Sequence, residues 1–88
     1  MMRLDKFLKI SRLIKRRTLA KEVADQGRIR INGAQSKAAS NVAIGDELTI
    51  QFGQKVLTIE VKSLKENVNK NEAATLYEIK KEEPVNQN

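Results

Sequence analysis

Apolar positions along the chain change period near residue 27, and the change divides it into a helical part and a stranded part. Leu4, Phe7 and Leu8 fall at i, i+3 and i+4 and predict an amphipathic helix over residues 3–11, with Arg3, Lys6 and Lys9 turned away from the apolar stripe. Leu13 and Ile14 follow, then the cations Lys15, Arg16 and Arg17. A second helix is expected from an N-cap at Thr18 to about residue 26. Leu19, Ala20, Val23 and Ala24 form its inner side, and Gly27 stops it, because the residue after a helix favours the left-handed conformation.

Beyond Gly27 the period is two. Ile29 and Ile31 share one face and Arg28 and Arg30 the other, before a tight turn at Asn32-Gly33. Gly45-Asp46 marks a further turn. Leu48, Ile50 and Phe52 alternate in the next strand, and Leu57, Ile59 and Val61 alternate after the Gly53-Gln54 turn. These read as short antiparallel strands with one buried face. Residues 65–71 are polar and Asn-rich, which indicates a loop. Asn71 is placed to cap a short helix around Ala73, Ala74 and Leu76, while Tyr77 and Ile79 fit either a last strand or a segment packed back on the sheet. Residues 82–88 read as a frayed tail. The fold expected is α+β: two N-terminal helices packed on a small antiparallel β-sheet, with Leu4, Phe7, Leu8, Val23, Ile29 and Ile31 in the core.

Composition narrows the chemistry. At 88 residues the chain is one domain, too small for a deep substrate cleft. It has no Cys and no His, which removes disulfides, thiolate nucleophiles, imidazole bases and the usual zinc ligands. The acids Asp5, Glu22, Asp25, Asp46 and Glu47 form no paired-carboxylate pattern, and no Gly-rich phosphate loop or nucleophile elbow is present. Asp5 reads as a structural partner of Arg3 and Arg12, and Asp46 as part of its turn. No enzymatic activity, metal or cofactor is expected. No apolar run is long enough to span a bilayer and no signal-peptide core is evident, so a cytoplasmic location is expected.

Charge is more informative than any single residue. The formal net charge is +6, and the whole excess lies in residues 1–31, which carry ten Lys and Arg against three acids. Residues 32–88 are nearly neutral. An isolated surface Lys is ordinarily a solvated charge, but cations this dense repel one another and need a reason. A one-sided excess is the footprint of a polyanion partner. The stretch from Lys9 to Arg17 holds five cations and no acid. Arg16 and Arg17 are the principal candidates for phosphate contact, supported by Arg3, Lys9, Arg12, Lys15 and Lys21, with Lys37 a further exposed cation within reach of RNA. A membrane-surface helix fits less well, since the one aromatic of the basic third, Phe7, lies on the stripe the core requires.

Four separated motifs then carry a family resemblance. Arg3-Leu4-Asp5-Lys6-Phe7-Leu8, Arg17-Thr18 ahead of a helix, Gly27-Arg28-Ile29-Arg30-Ile31-Asn32-Gly33, and Gly45-Asp46-Glu47-Leu48 together resemble the S4-type RNA-binding domain over about residues 3–62. The similarity is greatest to the small stand-alone group that includes the ribosome-associated fifteen-kilodalton heat-shock protein. It implies an S4-type domain at residues 1–64 and a C-terminal extension at 65–88. It also implies a monomeric, bacterial, non-membrane factor that binds large ribosomal subunits still carrying peptidyl-tRNA. Such a factor contacts large-subunit rRNA and the tRNA, and acts beside the tail-adding partner RqcH in C-terminal alanine tailing of stalled chains. The family's Arg before the second helix matches Arg17, its opening motif matches Arg3-Leu4-Asp5, and its turn matches Asn32-Gly33. One departure stands out: many members have Ser where this chain has Arg16, trading a cap for a further phosphate contact. Two alternatives keep the same basic face: a ribosome-recycling or assembly factor, and an adaptor that binds an acidic protein.

Overall fold

In the computed structural model, which describes residues 1–84, the Leu4, Phe7 and Leu8 stripe becomes one side of a short helix and is fully buried. A two-residue strand β1 (Met2–Arg3) leads directly into α1 (Leu4–Ile10). Ser11 closes the helix: its N–H donates to the Phe7 carbonyl at 2.9 Å and its hydroxyl to the Leu8 carbonyl at 3.2 Å. Arg12 then takes φ +61°, the left-handed conformation that side chains other than glycine rarely adopt, and turns the chain toward α2 (Arg17–Asp25).

The second helix corrects two expectations. It starts at Arg17, not after Thr18; Arg16 is the extended N-cap residue and no side chain caps the amides. The reason is tertiary, because the contact between Arg17 and Asp5 draws Arg17 into the first turn. Leu19 is not on the inner side but is 49% exposed. The buried stripe is Ala20 and Ala24, whose small side chains let α1 and α2 pack directly, and Val23 is half-buried at its margin. The stop at Gly27 is as expected: φ is +77°, and a Cβ there would stand 2.1 Å from Gln35 Nε2.

The period-two segments form β2 (Ile29–Ile31), β5 (Glu47–Phe52) and β6 (Lys55–Val61); β2 also pairs with the two-residue β3 (Ala34–Gln35), and β4 (Asn41–Val42) lies between β3 and β5 in sequence. They join a last strand, β7 (Tyr77–Pro84), in an antiparallel sheet of order β3-β2-β5-β6-β7. Its register opposes Ile29 to Ile50, Leu48 to Ile59 and Ile50 to Leu57, so one face is continuously apolar and carries the helices. Ile31, at the end of β2 beside the two-residue β3, is half-buried and lies at the margin of the core. Positive φ at both Asn32 and Gly33 gives the β2–β3 hairpin a type I′ turn, which matches strand twist. Asn32 also ties this turn to the next one, accepting the Glu47 N–H at 2.9 Å and donating to Asp46 at 3.1 Å.

Three further features depart from the sequence reading. β4 pairs with β1, holding the start of α1 against residues 41–42, a ladder too short to leave a period-two signal. The turn at Ala73–Leu76 is a 3₁₀ helix, and the side chain that serves it is Asn69, which accepts the Glu72 N–H at 2.9 Å, not Asn71. Tyr77 and Ile79 belong to a true strand, and residues 82–84, expected to fray, pair with Leu57, Val56 and Lys55. The remainder of the expected tail, residues 85–88, lies outside the described residues.

Candidate RNA-binding surface

The surface is organised around a buried carboxylate. Asp5, in the first turn of α1, is 2% exposed, and its Oδ1 accepts the Lys6 N–H at 2.8 Å. Arg3 lays its guanidinium along the carboxylate, donating from Nε to Oδ1 and from Nη2 to Oδ2, each at 3.2 Å. Arg17, the first residue of α2, brings its Nε to 3.6 Å from Oδ2. One carboxylate therefore holds an arginine from the entry of each helix, and both arginine side chains remain half-exposed. A buried carboxylate is costly unless paired and hydrogen-bonded, and these partners supply both. Arg12, expected beside Asp5, is not among its partners; its place is taken by Arg17.

Two adjoining clefts carry the remaining cations. Arg3, Lys6 and Arg17 line the first together with Leu64 and Glu66. Lys9, Arg12 and Lys15 line the second with Glu66 and Val68. Arg16 continues the series beyond Lys15. Glu66, in the loop after β6, borders both clefts and is ion-paired to Lys6. Among the described residues Lys9, Arg12, Lys15 and Arg16 make no ion pair. Cations so exposed are free to replace the counterions of a polyanion.

Two sequence candidates lie apart. Lys21 faces a shallow groove with Thr18, Glu22, Asp25 and Gln26 and lines neither basic cleft. Lys37 is exposed on the turn closed by its N–H and the Ser40 hydroxyl at 3.0 Å. That turn is anchored next to α1, since Asp5 N–H donates to the Ala38 carbonyl at 3.2 Å and Ala38 N–H to Asp25 at 3.0 Å, but Lys37 lines neither basic cleft. Sequence reasoning left Lys6 off its principal set and missed Glu66. The Lys6–Glu66 pair spans 60 positions, and nothing local in a polar loop signals it.

The lysines of the sheet contrast with those of the helices. Lys62 and Lys80 are both bound by Glu60 and Glu78. Hydrogen bonds from Lys62 and then Lys80 hold the Glu60 and Glu78 carboxyls below the ordinary carboxylate value, and bonds to Glu60 and then Glu78 raise both lysines. This is a self-neutralised network, whereas the helical face keeps its charge available. Among the described residues no group of His, Cys, Asp and Glu could hold a metal ion, and no helix is long and apolar enough to cross a membrane.

Comparison with known proteins agrees with this fold. Residues 2–48 match the S4 domain. The chain is similar to the RQC P-site tRNA stabilizing factor of Bacillus subtilis (strain 168), with 68% identity over 84 residues, covering 96% of this chain and 98% of that protein. The protein of the same name from Halalkalibacterium halodurans is 67% identical, with 96% of each chain covered. Heat shock protein 15 of Escherichia coli (strain K12) is 39% identical over 77 residues, which cover 86% of this chain and 58% of that protein. In three dimensions the chain is similar to heat shock protein 15 of Vibrio cholerae, solved as a trimer, with a TM-score of 0.82 and 32% identity over 89% of this chain and 80% of that one.

Proposed function

The chain belongs to the S4 domain family, and from that premise we propose that it is a non-catalytic RNA-binding factor of ribosome-associated quality control, holding peptidyl-tRNA on the large ribosomal subunit. The observation that carries this reading is the Arg3–Asp5–Arg17 cluster, continued by the unpaired Lys9, Arg12, Lys15 and Arg16. Two guanidinium groups fixed by one carboxylate present forked donors at a set spacing, which suits backbone phosphates of folded RNA. The names of the relatives at 67% and 68% identity, RQC P-site tRNA stabilizing factor, supply the tRNA and the pathway.

In this reading residues 1–64 bind large-subunit rRNA and the tRNA, and 65–88 extend the domain. The factor acts in the cytoplasm as a single copy, beside RqcH, while alanine residues are added to the stalled chain. Its contribution is positional: a tRNA held in one orientation reacts without the entropic cost of finding it. Arg16 and Arg17 carry most of the binding, Arg3, Lys9, Arg12 and Lys15 support them, and Lys21 and Lys37 contribute least.

Sedimentation of tagged wild type beside an Arg16→Ala/Arg17→Ala double variant, with circular dichroism to verify folding, tests the proposal. Wild type should travel with large subunits that contain peptidyl-tRNA and the folded variant should stay at the top of the gradient. Equal co-sedimentation would move binding to another surface. A wild type that remains at the top would favour an acidic protein partner. Loss of alanine tails on deletion separates the quality-control role from subunit assembly or recycling.

A further inference from the structure

Beside the basic clefts lies a pair of grooves that shares Arg12, Lys15 and Arg16 with the basic face and adds an apolar floor that the phosphate contacts do not use. One is lined by Ile14, Lys15, Arg16, Leu19 and Val23, the other by Arg12, Lys55, Leu57 and Tyr77, and Leu13 and Phe52 form the wall common to both. Their volumes are about 380 and 360 Å³, the size of sites that take a single small ligand. The apolar floor is open: Leu19 is 49% exposed, and Leu13, Val23, Phe52 and Tyr77 are half-buried.

Two observations identify the occupant. The first is charge. Every charged residue that lines the grooves is a cation, and Arg12, Lys15 and Arg16 are without an ion pair among the described residues; only Lys55 is engaged, by Glu82. The second is the placement of aromatic rings. The chain has two Phe and one Tyr. Phe7 is fully buried, and the other two rings, Phe52 and Tyr77, both line this surface. Partly exposed rings beside free cations are the pairing that binds unstacked nucleotides, base on ring and phosphate on guanidinium or ammonium. Eleven residues line the two grooves, fewer than the roughly 20–30 that a stable protein interface engages on each side.

We propose that this paired groove receives an unpaired nucleotide of the bound RNA, its base on Phe52 between Leu13 and Leu19 and its flanking phosphates on Arg12, Lys15 and Arg16. The inference rests on the RNA-binding reading above and deepens it: the preferred substrate is RNA with an unstacked base in a loop or bulge, not a continuous duplex.

The test uses the full chain and two synthetic RNAs of equal phosphate number, a hairpin whose loop carries a fluorescent adenine analogue and a blunt duplex. Wild type should bind the hairpin about tenfold tighter than the duplex and change the fluorescence of the loop base. Phe52→Leu, which keeps apolar volume and removes the ring, should lose that preference and leave duplex affinity unchanged. Leu19→Gln, at an exposed position, repeats the test without touching the core. Arg17→Ala should weaken both RNAs alike. Equal binding of hairpin and duplex by wild type, both weakened by Arg17→Ala, overturns the groove proposal and leaves the basic face standing. Binding of neither RNA overturns both. If the groove variants keep the hairpin preference but lose an acidic amphipathic peptide that wild type binds, the occupant is a protein segment and the proposal fails.

Discussion

Asp5 and Arg17 are 12 positions apart in sequence, yet Oδ2 of one stands 3.6 Å from Nε of the other, joining the entries of the two helices. The same carboxylate carries both hydrogen bonds of Arg3, so Asp5→Asn acts on fold and site together. The amide retains one acceptor and turns a donor toward a guanidinium. Thermal unfolding should show a loss of about 1–3 kcal/mol, toward the lower end because both arginines are half-exposed, or roughly 4–8 °C in Tm per kcal/mol. RNA affinity, measured by fluorescence anisotropy, should fall in the same variant.

Salt dependence separates cations that meet phosphates from those that do not. Arg17→Ala should lower the slope of log affinity against log salt by about 1, and Arg16→Ala likewise. Lys21→Ala should leave the slope where it was, because Lys21 lines neither basic cleft. A titration between low and physiological salt reads all three.

Glu66 is the acid that borders both basic clefts, and it is ion-paired with Lys6. A phosphate entering the first cleft has to compete with it. Glu66→Gln should therefore raise RNA affinity by about twofold to fivefold at low salt, the range of an exposed ion pair, and the gain should shrink as salt is added. Unchanged affinity would place the RNA away from Lys6.

The β6–β7 network sets a pH window. Glu60 and Glu78 lie below the ordinary value of 4.5, so their contribution to stability is present above that value and lost as pH falls through their lowered ones. Lys62 and Lys80 lie above the ordinary 10.5, so theirs is present below 10.5 and lost as pH rises through their raised values. The Tm difference between wild type and a Glu60→Gln/Glu78→Gln variant should be flat between these limits and close at both ends. It should also be small at about 1 M salt, since all four groups lie at the surface within reach of salt.

Arg12 holds φ +61°, where glycine carries no steric penalty. Arg12→Gly should leave stability unchanged or raise it by up to about 1 kcal/mol in denaturant unfolding, while RNA affinity falls. The strained backbone at this corner places an arginine side chain in the second basic cleft, where glycine would place none.

Much of this architecture is legible in one sequence because it is written in periods. Leu4, Phe7 and Leu8 mark a helix face, and Leu48, Ile50, Leu57, Ile59 and Val61 mark a sheet face; all of them are buried. The Asn32-Gly33 turn is legible for the same reason, as local chemistry that needs positive φ. What escapes is tertiary. Thr18 loses its capping role to a contact made by Arg17 with another helix, and Leu19 is left outside because Ala20 and Ala24 give the closer approach. The one-sided charge is visible from composition, but how it divides is not. Lys9, Arg12 and Lys15 share a cleft only because the chain turns sharply at Arg12, and Glu66 arrives from a loop without any local signal.

The last strand has a consequence of another kind. β7 is an edge of the five-stranded sheet and, among the described residues, pairs with β6 alone. An eight-residue edge is long enough to template further strands from neighbouring molecules. Here it exposes Ile79 among the charged Glu78, Lys80, Lys81, Glu82 and Glu83, and then Pro84, which has no N–H to offer. Stacking identical copies in register would set like charges against each other at the five charged positions, Glu78, Lys80, Lys81, Glu82 and Glu83. The strand that closes the sheet is thus also the strand that opposes its extension by further copies.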